Sequence, residues 1–385
     1  MYSSIYDEAN AMYDQLVKWR RALHQHPEIG LELPETVSFV KEKLTEFDIP
    51  FETKVNGNCI VGHLGTGGRC LLLRADMDGL PVREESGVPF ASENGNMHAC
   101  GHDIHTAALL GAAKILKRHE KELRGRIKLL FQPGEETLTG ARAAYEEKIL
   151  ENPKVDSAFA THVGAAYPVG TIGYGTRIGT SVFDFKITIT GKGTHGAMPQ
   201  NGVDPINVGI HIYQGLQELI ARECAPSEEA TLTIGQFNSG LASNVIPERA
   251  ILKGTVRTFS NKTKRHFIQR IGEIADSISR AFHAESKIEI FADIPVLCCD
   301  EARNEQLVQA IRSMNPELKM MPGLHFTASD DFAVFSNEVP SSYFMIGARM
   351  DSGTIYAHHN PKVCFNEQAL PIETAVYACA ALDWE

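Results

Sequence analysis

The stretch Met97–His105, with the sequence MHACGHDIH, is the part of the sequence from which the fold and the site can be inferred. It contains three histidines, a cysteine and an aspartate, and residues 106–114 continue it as an apolar, alanine-rich run that predicts a helix. Nitrogen, sulfur and carboxylate donors at a helix start suit a borderline-soft divalent metal ion. Gly101 lets the backbone bend so that Cys100 and His102 could reach one point. For this stretch alone, a buried thiol beside a capping histidine is an equally good interpretation.

Further donors follow the next two predicted strands. Glu135 and Glu136 end the segment 131–136, which follows the strand-like run Arg126–Leu130, and His162 follows the predicted strand Val155–Ala160. Neighbouring carboxylates point in different directions, so one can bind a metal ion while the other stays free as a base. A Glu-Glu pair is often only solvated surface, but sites in open α/β sheets lie at strand ends. Donors on three successive elements therefore favour a metal site.

The order of predicted elements indicates the fold class. Helices and strands alternate from the helix after His105 up to His162, which predicts a mostly parallel sheet with helices on its faces. From Val182 to Thr190 the sequence alternates strictly and is β-branched, as is typical of a one-sided antiparallel strand. The segments that follow predict a β-α-β-β-α-β, ferredoxin-like order. We therefore predict an α/β protein with a metal-binding parallel-sheet domain, and an inserted ferredoxin-like α+β domain. The predicted bounds are 1–179 and 293–385 for the first domain and 180–292 for the second.

Two other polar positions lie at predicted strand or loop ends. Asp78 follows the predicted strand Cys70–Ala75 and could steer a ligand histidine as an outer carboxylate, or cap its own turn. His358 and His359 stand before Asn360-Pro361, a sequence that is a turn signal first and a ligand signal second. The residue types leave both alternatives open.

The inserted domain carries polar residues that a spacer would not need. His195 lies in a glycine-rich loop, Asn244 precedes Val-Ile-Pro, and Arg257 follows thirteen positions later. Each also has a purely structural interpretation. His195 could be a loop histidine whose ring is hydrogen-bonded, Asn244 an amide in a turn, and Arg257 a solvent-exposed arginine on a strand.

The bulk composition limits the possible functions. With 385 residues the chain exceeds one comfortable core, and 43% hydrophobic with 22% charged residues is an ordinary globular composition. The net charge of −11 argues against nucleic acid or an anionic membrane as a partner, and no apolar run is long enough for a membrane span. The N-terminus lacks the pattern of a secretory signal, and the eight cysteines show no framework spacing. The sequence thus predicts a cytoplasmic protein with reduced thiols.

Seven motifs, in order along nearly the whole chain, resemble those of the dinuclear metal-dependent amidohydrolases of the aminoacylase and carboxypeptidase type. Within that family the chain is most similar to the branch of hippurate hydrolase, indole-acetyl-amino-acid hydrolase and N-acetyldiaminopimelate deacetylase. The motifs are residues 20–28 (RRALHQHPE), 73–81 (LRADMDGLP), 98–103 (HACGHD), 131–136 (FQPGEE), 193–196 (GTHG), 244–247 (NVIP) and 359–361 (HNP).

The resemblance implies a site for two divalent metal ions, with zinc or manganese expected and nickel or cobalt as alternatives. Cys100 would bridge the metals in place of an aspartate used elsewhere in the superfamily, and Glu135 would be the general base. His359 is chosen over His358 because the family's ligand directly precedes the Asn-Pro. The implied ligand set is Cys100, His102, Glu136, His162 and His359.

The resemblance also implies roles for the inserted domain. It would be the dimerisation or lid domain, so we expect a homodimer or a higher oligomer. His195 and Asn244 would hold the oxyanion, from the same or the partner subunit, and Arg257 would bind the substrate carboxylate. These roles go beyond what the residue types alone indicate.

We therefore expect metal-dependent hydrolysis of the amide bond of N-acyl amino acids, with a metal-activated water as the nucleophile. A dedicated N-acetyl-diaminopimelate deacetylase of lysine biosynthesis, or a dipeptidase or carboxypeptidase, would use the same site. A non-catalytic metal-binding scaffold is the rival from another class, but it would need no free base such as Glu135. Segments 137–139 and 163–167 and the Asp330-Asp331 pair depart from the family's pattern, which limits what it implies about the acyl group.

Overall fold

The fold is described from a computed structural model covering residues 2–384. It divides into two compact units. The first contains the chain up to Ile178, Cys298–His325 and the chain from Asp330 onward. The second contains Gly179–Leu297 and Phe326–Ser329.

Helices and strands alternate through the first part of the chain. In chain order they are α1 (Tyr2–Ala11), α2 (Tyr13–His24), α3 (Pro34–Glu46), β1 (Phe51–Lys54), β2 (Cys59–Leu64), β3 (Cys70–Asp76), α4 (His102–Arg118), β4 (Arg126–Gln132), α5 (Gly140–Glu146), β5 (Ser157–Pro168), β6 (Thr171–Tyr174) and β7 (Arg177–Gly179). A short 3₁₀ helix, Glu120–Glu122, follows α4.

The middle of the chain is richer in strands, and the last part returns to alternation. The middle elements are β8 (Ser181–Thr190), β9 (Thr194–His195), α6 (Pro205–Glu218), β10 (Ala230–Ser239), β11 (Val245–Ile246), β12 (Arg249–Thr258), α7 (Asn261–Ala281) and β13 (Glu285–Ile294). The last elements are β14 (Leu297–Cys298), α8 (Glu301–Met314), β15 (Lys319–Pro322), α9 (Ala333–Ser336), β16 (Ser341–Arg349) and α10 (Ala369–Leu382). A 3₁₀ turn, Pro199–Asn201, precedes α6, and a π-helical turn, Leu219–Glu223, extends it.

An eight-stranded sheet forms the centre of the first unit, in the order β1-β2-β4-β3-β5-β16-β6-β15. Its middle strands, β4-β3-β5-β16, pair in parallel. Every residue of β3 is buried, as expected for a strand covered on both faces. The buried helices α4 and α10 pack closely, and a Cβ at Gly111 of α4 would lie 2.9 Å from Thr374 of α10. The site was predicted at the carboxyl ends of the strands of this sheet.

The second unit has its own sheet, in the order β10-β12-β8-β13, with every pair antiparallel. Phe183, Phe185, Ile187 and Ile189 of β8 are buried in a core that α6 and α7 complete. This strand order with its two helices is the ferredoxin-like arrangement. The predicted fold class, a mostly parallel α/β sheet with an inserted α+β unit, is confirmed.

Helices α1 and α2 are separated at Met12, whose backbone (φ −90°, ψ 2°) leaves the helical region. One local prediction was wrong. The strand predicted to end at Ala160 continues to Pro168, because β5 pairs with β16 as far as Gly164 and beyond. His162 therefore lies inside β5 and not after it. No helix within residues 2–384 is long and apolar enough to cross a membrane.

Candidate metal centre

The start of α4 is shaped by Gly101. Its backbone is left-handed (φ 91°), and a Cβ there would lie 2.4 Å from a methyl group of Val163. Only glycine fits this conformation and this space. The bend sets the thiol of Cys100 3.4 Å from Nε2 of His162, while His102 begins the helix.

The five predicted metal ligands come together in one cluster of the first unit. Nε2 of His102 lies 3.8 Å from Oε1 of Glu136, and Nε2 of His359 lies 3.5 Å from Oε2 of Glu136. The donor atoms of Cys100, Glu136 and His359 lie within 4.8 Å of one another. Because Cys100 also contacts His162, each of the five residues lies close to at least one other member of the set.

Three buried atoms of this cluster have no hydrogen-bond partner among the residues that the structure describes. They are Nδ1 and Nε2 of His102 and Oε1 of Glu136. A buried polar atom without a partner costs about 1–3 kcal/mol, and more when it is charged. Divalent cations would satisfy Nε2 of His102 and Oε1 of Glu136, and sulfur, imidazole and carboxylate together are a donor set for zinc-like metals. The residues therefore fit a metal centre.

His162 is oriented as a metal ligand would be. Its Nδ1 lies 2.8 Å from the carbonyl oxygen of Val163, so Nδ1–H donates to that oxygen. The lone pair of Nε2 is then free on the side of Cys100. Burial, reinforced by neighbouring histidines, holds the pKa of His162 well below its usual value, so the ring is neutral. This outer hydrogen bond is the usual companion of a metal-bound imidazole.

Asp78 holds the loop of the two glutamates. Its carboxylate accepts the backbone N–H of Glu135 at 3.0 Å and that of Glu136 at 3.1 Å. The same side chain lies 3.5 Å from Nδ1 of His102. Asp78 thus binds a distant loop and faces a predicted ligand, which supports the role of an outer carboxylate over a cap of its own turn.

Glu135 is buried beside other carboxylates. One oxygen each of Glu135, Asp330 and Asp331 lie within 4.8 Å of one another. Burial, together with the charges of Asp330 and Glu136, raises the pKa of Glu135 well above its usual value. A carboxylate with a raised pKa beside a metal centre can accept a proton and return it.

A fully buried arginine offsets part of this charge. Arg74 contacts Asp76 at 2.6 Å, Asp331 at 2.9 Å and Asp330 at 3.2 Å. The hydroxyl of Tyr343 also donates to Asp330 at 2.8 Å. Burial and Asp330 still raise the pKa of Asp331 to about 7, despite the opposing charge of Arg74. We call Arg74, Asp76, Asp330 and Asp331 the Arg74 network.

Comparison with known proteins identifies the family. The model of "Peptidase family M20/M25/M40" matches residues 72–383. The chain belongs to this family. Its relatives include an N-acetyl-L-cysteine deacetylase of Bacillus subtilis, 37% identical over 92% of this chain and 85% of the relative. They also include IAA-amino acid hydrolase ILR1-like 2 of Arabidopsis thaliana, 32% identical over 97% of this chain and 86% of the relative.

A solved structure agrees with this assignment. The YXEP protein of Bacillus subtilis, described as a dinuclear metal binding peptidase from M20 family, superposes with a TM-score of 0.82. It is 29% identical, over 97% of this chain and 98% of that one. The resemblance inferred from the seven motifs is confirmed, and the chain is an M20-family hydrolase.

His105, three residues after His102 in this M20-family chain, was not predicted to have a role at the site. Its Nε2 accepts the backbone N–H of Val163 at 2.9 Å, so Nδ1 carries the proton and donates to Asp76 at 2.5 Å. Both ring nitrogens are occupied, although one of them lies within 4.8 Å of donor atoms of His102 and His162. His105 therefore ties α4 to β5 and to the Arg74 network.

The residues of the Arg74 network were also not predicted to act at the site, although the sequence contains weak signals for them. Arg74 and Asp76 belong to the motif LRADMDGLP, and the Asp330-Asp331 pair was noted only as a departure from the family's pattern. A buried arginine in a strand needs carboxylate partners, and this requirement was the available signal.

The remaining predicted residues lie in the second unit. His195 of β9 faces Val245 of β11, and the carbonyl oxygen of Asn244 accepts the N–H of Gly196 at 2.7 Å, so the two loops are held together. Arg257 of β12 donates to Asp184 at 3.2 Å. Within this unit, His195 and Asn244 are therefore neighbours, while Arg257 is held on the sheet.

Proposed function

We propose that this M20-family chain hydrolyses the amide bond of N-acyl amino acids. The observation that carries the proposal is Glu135, a buried carboxylate of raised pKa beside a cluster of unsatisfied metal-ligand atoms. The two relatives named above are called after N-acetyl-L-cysteine and IAA-amino acids, both acylated amino acids.

The proposed ligands, Cys100 among them, would hold two divalent metal ions. When bound, such ions supply Lewis-acid activation of water and of the scissile carbonyl. The cysteine favours zinc, while the carboxylate and imidazoles also suit manganese, nickel or cobalt. The proposed set is Cys100, His102, Glu136, His162 and His359.

Glu135 would move the protons of the reaction. Its carboxylate accepts a proton from the attacking water and passes it to the nitrogen of the leaving amine. Asp78 fixes the position of the loop that carries Glu135 and Glu136, because its carboxylate accepts both of their backbone N–H groups. A metal-binding scaffold would have no use for the buried free carboxylate, so we favour an enzyme.

His195 is suited to donate to an oxyanion. Its Nδ1 accepts the N–H of Ala197 at 3.0 Å, so the proton of the neutral ring is on Nε2. The side chain is exposed, and Nε2–H is directed away from that backbone contact. A donor of this kind typically lowers a barrier by about 3 kcal/mol. Asn244, on the loop held against His195, would assist it.

Arg257 would bind the substrate carboxylate. Its guanidinium is a planar fork that matches a carboxylate, which lysine is not. Asp184 and Thr255 hold Nη1 at 3.2 and 2.6 Å, and the side chain is about one-third exposed. The group is thus positioned and still accessible.

We further propose that the chain forms a homodimer through its second unit, with a higher oligomer as the alternative. Strand β10 is at the edge of its sheet, with one side unpaired within the described chain. Exposed apolar side chains accompany it on the same unit: Ile210, Tyr213, Phe237, Leu241 and Val245. An unpaired strand edge can pair with another chain, and an exposed apolar patch marks an interaction site.

The eight free cysteines suit a reducing compartment, so we place the enzyme in the cytoplasm.

A substrate panel tests the proposed reaction. Amine release is measured from N-acetyl, N-benzoyl and N-indoleacetyl amino acids, N-acetyl-diaminopimelate and dipeptides, with metal-reconstituted enzyme. We expect turnover of acylated amino acids, and a loss of about 10²–10⁴-fold in Glu135→Gln, which removes the general base. The variant must retain its metal ions, measured by elemental analysis.

The same panel distinguishes the alternatives. Preference for N-acetyl-diaminopimelate or for dipeptides would assign one of the narrower activities to the same site. Absence of turnover in a protein that holds two metal ions would refute the hydrolase proposal for these substrates and leave the scaffold.

A further inference from the structure

His358 lies beside the cluster but has a different environment from the proposed ligands. Its ring packs against Phe365 and His162, with centroid distances of 5.2 and 5.4 Å. Nε2 accepts the backbone N–H of Ala165 at 3.2 Å, and Nδ1 lies 3.5 Å from Sγ of Cys100. Both nitrogens therefore have a defined neighbour.

The contact with Ala165 determines where the ring proton is. A backbone amide can only donate, so Nε2 of His358 must present its lone pair. A neutral imidazole with an accepting Nε2 carries its proton on Nδ1. The charged ring and the other tautomer would both set two N–H groups against each other. Nδ1–H is consequently directed at the sulfur of Cys100.

We infer that His358 donates a hydrogen bond to the Cys100 thiolate and positions this ligand without binding a metal ion itself. The inference rests on the proposed two-metal site. A metal ion on Nδ1 of His358 would move the ring proton to Nε2, where it would oppose the Ala165 N–H. Donation to sulfur satisfies both nitrogens at once.

The neighbouring histidines show the opposite arrangement. In His162 the proton is held by a carbonyl, which leaves Nε2 as a free lone pair. His359 is half-exposed, and its Nε2 lies 3.5 Å from Glu136. The adjacent residues His358 and His359 are thus divided between two tasks: one supports the thiolate and the other binds the metal.

The hydrogen bond has measurable consequences for the thiolate. A donor to sulfur stabilises the negative charge of the thiolate and lowers the energy of its lone pairs. It also fixes the position of the sulfur atom. Loss of such an outer partner typically weakens metal binding by about 10–100-fold.

Three substitutions separate the donor from the ring. His358→Asn keeps an N–H near the position of Nδ1. His358→Phe keeps a ring and removes both nitrogens, and His358→Gln keeps a partner for the Ala165 N–H but withdraws the donor from sulfur. His359→Asn is the matched control, because it removes a proposed ligand next in sequence. Circular dichroism establishes that each variant is folded.

The measurements are metal stoichiometry, metal affinity by chelator competition, and the sulfur-to-metal charge-transfer band of the cobalt-loaded proteins. We expect two metal ions in each His358 variant and one fewer in His359→Asn. His358→Phe and His358→Gln should bind metal about 10–100-fold more weakly, with the band moved to lower energy. His358→Asn should restore both properties towards wild type.

Other outcomes overturn the inference. Loss of a metal ion in all three His358 variants would make His358 a ligand. Wild-type affinity and an unmoved band in both donor-removing variants would make it a packing residue only. A wild-type protein without a thiolate band would refute the inference together with the two-metal site. A wild-type protein with two ions and the band, but no amide hydrolysis, would refute only the proposed reaction.

Discussion

The metal-ligand cluster and the Arg74 network are both buried and both charged, but they satisfy their polar atoms differently. In the cluster, Nε2 of His102 and Oε1 of Glu136 lack hydrogen-bond partners in the described chain. In the network, Arg74 contacts three carboxylates. The first arrangement is incomplete without a ligand, whereas the second is largely complete by itself. The comparison separates residues that bind from residues that position.

Removing the arginine gives the largest expected effect. Arg74→Leu would leave the carboxylates of Asp76, Asp330 and Asp331 buried without their cation, which typically costs about 3–5 kcal/mol. Urea denaturation measures the free energy of unfolding. Arg280→Ala is the control, because Arg280 forms an exposed ion pair with Asp276 and its loss should cost at most about 1 kcal/mol. Equal effects of the two substitutions would contradict the distinction.

The incomplete cluster should be stabilised by metal ions. At a free zinc concentration of about 100 times the dissociation constant, the wild type should gain about 2.7 kcal/mol, because only the folded state offers the assembled site. Glu136→Gln should lose most of this gain, while Asp331→Asn should keep it. Thermal denaturation with zinc and with a chelator measures both. A gain that is unchanged in Glu136→Gln would exclude this residue as a ligand.

The network should contribute a pH dependence of its own. The pKa of Asp331 is raised to about 7, above its ordinary value of 3.8. Between these values the unfolded chain has lost a proton that the folded chain retains, so this group's contribution to stability falls as pH rises. The slope is at most about 1.4 kcal/mol per pH unit.

Unfolding of the metal-free protein between pH 5 and 7 measures this slope. It should be less steep in Asp331→Asn, which cannot titrate. A wild type and variant with parallel profiles would show that Asp331 is already ionised across this range.

The cluster could be predicted from sequence because its residue types indicate its chemistry. Cys100, His102 and the Glu135-Glu136 pair are strong donors in short motifs. The Arg74 network could not be predicted, because Arg74 meets Asp330 across 256 positions of sequence. A charged pair at that separation is formed only by the tertiary fold.

The tautomers of the histidines could not be predicted from the sequence either. His105, His162 and His358 are the same residue type, but their roles depend on whether a backbone N–H or a carbonyl faces the ring. The position of His162 was also misjudged, since the polar pair Thr161-His162 resembled a strand end. Pairing of β5 with β16 carries the strand past it.

If His162 is a metal ligand, as we propose, its location inside β5 would impose an order on the maturation of the site. In the register of β5 with β16, His162 faces Met345. Side chains alternate along a strand, so a slip of one residue would turn the imidazole to the opposite face of the sheet. A metal ion arriving before this register is set would meet Cys100 and His102 on α4 without His162. With the proposed ligand set, correct loading would follow the closure of the central sheet, and premature binding would capture an incomplete set of ligands.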